Sequence, residues 1–229
     1  MKRLLTARWI AGHLLALAGV VGFVFLGLWQ LDRHEQKREI RDAVEAAADL
    51  PVVALSDAEG DPTYRVVWAV GEYDTAAEVL VLRSQAGTAG YAVVTPLRLP
   101  DGSAVLVNRG WVPLGDQDPP GPVAAPEGEV RVTGQMWPSV PGAIPAELPP
   151  VMKRIDPVTV AAFTTYPIRE DSYLLAFDQI PPPESEGLVL PDRLEVSLGP
   201  HLGYAGQWFL FALVVLVGYP LLLRKTLRS

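Results

Sequence analysis

The chain has 229 residues, 49% of them hydrophobic, a formal charge of −7 and no cysteine. Without a thiol there is no disulfide, thiol redox relay, iron–sulfur cluster or cysteine-based copper transfer within the chain, and imidazole comes only from His13, His34 and His201. The charge is unevenly placed. All 26 Asp and Glu fall between Asp32 and Glu195, whereas the ends carry only cations: Lys2, Arg3 and Arg8, then Arg224, Lys225 and Arg228. The acidic middle excludes nucleic acid as a partner.

Residues 1–9 read as a cytoplasmic tail. Ile10 to Leu31 follows, 22 residues without a formal charge. A bilayer core of about 30 Å needs roughly 20 apolar residues at 1.5 Å rise, so 10–31 is long enough to span. It is too long for the apolar region of a cleaved signal and reads as an uncleaved anchor. Its end, Leu28-Trp29-Gln30-Leu31-Asp32-Arg33, carries two residues of an interfacial anchor, Trp29 and Arg33. Gln30, an amide near the end of an apolar helix, has no such explanation. Arg33 to Ala48 has neither Gly nor Pro and predicts a continuation of the helix out of the membrane, with His34 solvated and Pro51 as the stop.

Beyond Pro51 the periodicity changes to short alternating runs. Strands are predicted at Tyr64–Tyr73, Glu78–Arg83, Gly90–Leu99, Ser103–Trp111, Glu129–Trp137 and Tyr173–Ile180, with Arg193–Leu198 a weaker candidate. Asp101-Gly102 reads as a two-residue hairpin turn. Trp111 is expected to pack in the domain, with Gly110 relieving crowding beside it. Asp156 and Pro157 open a short helix to Phe163 as N-cap and first residue. Prolines concentrate in Asp116–Pro126, Pro138–Pro150 and Pro181–Pro191, which read as surface linkers or as functional loops. Residues 32–202 thus form an antiparallel β-rich domain, as a barrel or a sandwich. Arg65, Arg83 and Arg109 sit in or beside strands and suit either structural ion pairs or a ligand's carboxylates.

Gly203 to Leu223 is a second uncharged run of 21 residues, and 224–229 is a second cationic tail. The fold class is therefore an α+β membrane protein, two transmembrane helices flanking an extracytoplasmic β-rich domain. The tails carry six Lys and Arg against five on the inner flanks, which favours cytoplasmic termini and, in the simplest case, a bacterial inner membrane. Just before the second span, His201 shares a helical face with Tyr204, Trp208 and Phe211. An aromatic interfacial belt explains these residues; so does a porphyrin surface with His201 as iron ligand. His13 lies roughly 17 helical residues deeper, about 25 Å along the bilayer normal, and cannot reach the same iron. No Gly-x-Ser-x-Gly or His-Glu-x-x-His motif is present, so no enzyme is expected.

Several segments together resemble the Surfeit locus protein 1 family of cytochrome c oxidase assembly factors, almost end to end. They are Leu28–Arg33 with Lys37, Tyr64–Val67 with Gly71–Asp74, Arg83, Gly87, Gly90 and Val94–Leu97. The most specific is Val105–Pro113, which contains Asn108-Arg109-Gly110-Trp111. His201-Leu202, Tyr204-Ala205 and Gln207–Phe209 complete the match, and Pro200 stands where the resemblance implies Asn. The resemblance implies a chaperone-like factor of the respiratory chain, placing haem a in the catalytic subunit of an aa3-type oxidase. His201, Tyr204 and Trp208 would bind that cofactor. Trp29, Gln30, Arg33 and Asn108–Trp111 would form partner-facing or structural motifs, and a haem a synthase would be a second partner. A structural oxidase or supercomplex subunit that binds no cofactor is the alternative.

Overall fold

A computed structural model describes residues 6–228 except 86, 116, 117, 122, 184, 186 and 192–195. The chain divides into two compact units, Met1–Asp42 with Glu195–Ser229, and Ala43–Leu194.

The first unit is a helical hairpin. Helix α1 (Ala7–Ala48) is 42 residues long, about 63 Å at 1.5 Å per residue. It carries the apolar run and the charged continuation as one element, as the lack of Gly and Pro in 33–48 predicts. Helix α3, His201–Arg228, contains Pro220. Both are long and apolar enough to cross a membrane, and only 6% of each apolar stretch is buried, the opposite of a soluble protein's core helix. Small residues let the helices meet: Ala205 and Ala212 are buried, and a Cβ on Gly27 would lie 2.6 Å from the Phe209 ring, as expected of closely packed membrane helices. His34 departs from the solvated expectation. It is half-buried, and its Nδ1 has no partner among the described residues.

The second unit is a sheet of eight strands among the described residues: β1 (Val53–Ala54), β2 (Val66–Tyr73), β3 (Val79–Gln85), β4 (Thr88–Arg98), β5 (Ala104–Pro113), β6 (Glu129–Pro138), β7 (Val151–Met152) and β8 (Ser172–Ile180). Their order is β1-β2-β6-β8-β5-β4-β3-β7. Strand β4 also pairs with β2, Glu72 opposite Arg98 and Tyr73 opposite Leu97, so the ladder β2-β6-β8-β5-β4 returns to β2. Gly71 permits this return, because a Cβ there would lie 2.2 Å from the Arg98 carbonyl oxygen.

The sheet is mixed, not uniformly antiparallel: β1–β2, β3–β7 and β5–β8 run parallel. Parallel neighbours need long returns of the chain, which alternation within a strand does not reveal. The weak candidate Arg193–Leu198 is corrected too. Val196–Leu198 lie outside any strand, and 193–195 are outside the described residues. The β4–β5 turn has three residues, not two. Pro100 and Asp101 precede Gly102 at φ 84°, the Gly102 amide donates to the Leu99 carbonyl, and the Leu99 amide to the Ser103 carbonyl. Pro100 sets the first turn residue, and Gly102 supplies the left-handed position of this wider hairpin.

Strand β5 is covered on both faces. Val105 and Val107 enter a core with Val67, Leu97, Val132 and Leu174. Ala104 and Leu106 enter another with Val79, Val94, Met152 and Val160. Helix α2 (Pro157–Ala161) supplies Val160, and the Asp156 carboxylate caps it by accepting from the Thr159 amide.

Candidate functional site

Two sets of residues singled out in the sequence are resolved here, one in each unit.

In the hairpin, α1 presents Gln30 and α3 begins at His201. Proline at 200 suits the lead into a helix, its φ being fixed in advance. His201 Nδ1 lies 2.8 Å from Gln30 Oε1. An amide oxygen only accepts, so Nδ1 is the donor, and in the neutral imidazole that tautomer puts the lone pair on Nε2. Metal-binding histidines are oriented in this way, donating through one ring nitrogen and ligating through the other. Gly199, at φ 65°, stands at the ligating side, where a Cβ would lie 3.3 Å from Nε2. A larger residue would crowd that nitrogen and strain the backbone.

Trp208 faces α1. Its ring stacks on Phe23 at 5.8 Å and 23° and meets Phe211 edge-on. Tyr204 does not join this cluster to the same degree and is 49% exposed. Trp29 is also exposed, and Arg33 donates to Gln36 on the next turn. At the opposite end of the hairpin, His13 Nδ1 lies 2.7 Å from the Tyr219 hydroxyl. Gln30 was conspicuous in the sequence without a partner. Gly199, Phe23 and Tyr219 escaped notice. The signal for Tyr219 was spacing: His13 and Gln30 are 17 residues apart in one helix, His201 and Tyr219 18 apart in the other, which matches two antiparallel helices.

In the domain, the register between β4 and β5 shifts at Val93/Val94, with Gly110 and Asn108 opposite them. Arg109 is the extra residue, and a bulge of this kind re-aims its side chain. Arg109 is 1% exposed. Its guanidinium pairs with Glu78 at 2.7 Å, donates to the Val123 and Ala124 carbonyls, and lies over the Tyr73 ring. Burial pushes the Tyr73 phenol far above its ordinary value, with the Arg109 charge working against it. The Val123 amide in turn donates to Glu78. Arg109 is therefore committed to a structural network rather than to a ligand's carboxylate, and the first proline-rich loop is tied to the core instead of running free as a linker. Asn108 Oδ1 accepts from the Gly110 amide. Gly110 has φ 148°, and a Cβ there would meet Leu188 and Val189. Trp111 is half-buried, covering Gly90 and donating from Nε1 to the Arg83 carbonyl at 3.0 Å.

A cavity of the domain, about 740 Å³, is lined by Leu55, Trp68, Pro100 and Ile168 among others, with neither histidine nor methionine in its described wall. It offers none of the usual side-chain ligands for haem iron.

The SURF1 family model matches residues 17–213. The chain belongs to the SURF1 family. Proteins of this family are, in general, known as cytochrome oxidase assembly factors rather than as enzymes. An uncharacterized SURF1-like protein of Mycobacterium bovis is 29% identical over 231 residues, covering 94% of this chain and 83% of the relative. SURF1-like proteins of Monosiga brevicollis and Dictyostelium discoideum are 36% and 32% identical over 48% and 38% of this chain, and 48% and 37% of their own. The SURF1 match takes in Gln30, His201 and Asn108–Trp111; His13 and Tyr219 lie beyond it.

Proposed function

We propose that this SURF1 protein holds haem a for insertion into the catalytic subunit of an aa3-type cytochrome c oxidase, with His201 as the iron ligand. The observation that carries the reading is the His201–Gln30 hydrogen bond, which in the neutral imidazole turns Nε2 into the ligating nitrogen. Bound there, haem would bring an iron that accepts one lone pair, and the task is holding and release rather than turnover. Gln30 fixes the tautomer and the ring's orientation. Gly199 keeps the approach to Nε2 clear. Trp208, Phe23 and Phe211 form an apolar aromatic cluster about two turns, roughly 10 Å, further along α3, and Tyr204 is exposed between the two levels. A haem a synthase would supply the group, and the oxidase subunit would receive it. The reading places both termini in the cytoplasm of a bacterial cell and the sheet domain outside the inner membrane.

The test is Soret absorbance per mole of protein purified in detergent. His201→Ala is expected to remain folded and membrane-bound and to lose most of its haem, whereas His13→Ala keeps it. Unchanged absorbance in His201→Ala would return that residue to an interfacial cap and favour a structural subunit without cofactor.

A further inference from the structure

The sheet domain is strongly acidic. Between Ala43 and Leu194 nine Lys and Arg stand against 21 Asp and Glu. Four of these cations have partners in the domain: Arg109 pairs with Glu78 and Arg169 with Asp171, while Arg98 and Arg131 lie over the rings of Tyr166 and Trp68. Three others share one cleft of about 290 Å³. Arg83 at the end of β3, and Lys153 and Arg154 just after β7, line it together with Tyr173. Among the described residues none of the three has a carboxylate within 4.0 Å. Arg83 also holds the Tyr173 hydroxyl, all three cations are exposed, and the wall of the cleft contains no carboxylate, so an anion entering it meets three positive charges and no negative one.

The cleft is also apolar. Leu82 and Val140, on its rim, are 57% and 63% exposed. Cations beside exposed aliphatic side chains suit a ligand with an anionic head and an apolar body. Burial raises the Tyr173 phenol, with the Arg83 charge and hydrogen bond opposing it; its oxygen accepts from Arg83 and its O–H, in the wall of the same cleft, can donate to the same head. The chain carries two helices able to cross a membrane, which makes phospholipid the amphiphile always at hand.

We infer that this cleft binds the phosphate headgroup of an anionic phospholipid, with Arg83, Lys153 and Arg154 on the phosphate and Leu82 and Val140 against the adjoining apolar chain. The full-length protein in nonionic detergent, titrated with short-chain phosphatidylglycerol and followed by native mass spectrometry, tests this. Lys153 and Arg154 are exposed, so the variant Lys153→Gln/Arg154→Gln is expected to melt as the wild type does. It should bind phosphatidylglycerol about thirtyfold more weakly, from roughly 1 kcal/mol for each basic residue. Leu82→Ser/Val140→Ser should also weaken it, and phosphatidylcholine retention should not change in either variant. Equal phosphatidylglycerol affinity in wild type and in both variants would overturn the site. Inorganic phosphate binding as tightly as the lipid would overturn the lipid assignment and leave a site for free phosphate.

Discussion

Arg109 shows how a conspicuous residue is settled by its neighbours. Removing one partner of a buried ion pair strands the other charge, and such losses cost about 3–5 kcal/mol. Arg109→Ala is therefore expected to lower stability by that amount, because Glu78 is left beside the Val123 amide with no cation. Thermal unfolding of the full-length protein in detergent checks it, and Glu78→Gln in the same background should recover part of the loss. Gly199 makes the complementary case for the hairpin. Asn tolerates the left-handed backbone, so Gly199→Asn separates crowding from strain. The protein should melt within a few degrees of wild type yet show a reduced Soret band, if Nε2 is the ligand atom. At this scale the sequence exposed the right names and withheld their roles. Asn108–Trp111 stood out as a motif, but only the bulge turns Arg109 inward, and no spacing rule announces a bulge. Gln30 and His201 were both noticed, yet they lie 171 positions apart, so their hydrogen bond had no local signature.

Among the elements, the helices were the more legible. A run of 22 uncharged residues has few alternatives, and the absence of breakers in 33–48 carries α1 to Ala48. Six strands were placed to within about two residues at each end because β-branched residues alternate there. The two-residue strands β1 and β7 were missed, being too short for periodicity. The parallel pairings were missed because they depend on long connections. Within the hairpin, Gly27 is the contact that admits Phe209. The chain has no cysteine, so Phe23→Cys/Trp208→Cys gives a clean disulfide reporter of helix proximity. Oxidation should cross-link this variant efficiently, and adding Gly27→Leu should abolish the cross-link by driving the helices apart. Persistence of the cross-link would show that Gly27 is not a spacing residue.

For the whole molecule the open quantity is sidedness. The tails carry only cations and the middle all the acids, and positive flanks are retained in the cytoplasm. A reporter fused after Ser229 is expected to be active only in a cytoplasmic form, and one inserted at Pro120 only in a form active outside. The reverse pattern would invert the topology. The Pro120 loop also illustrates what the buried Arg109–Glu78 pair does at a distance from itself. A segment with this many prolines invites the assumption that proteases will nick it first. Yet the Val123 amide and the Val123 and Ala124 carbonyls are held by that pair, and cleavage requires a backbone that can be drawn out and extended. Digestion between Val123 and Ala124 therefore waits for the ion pair to open, so the rate of nicking at that bond becomes a clock for how often the interior of the domain comes apart.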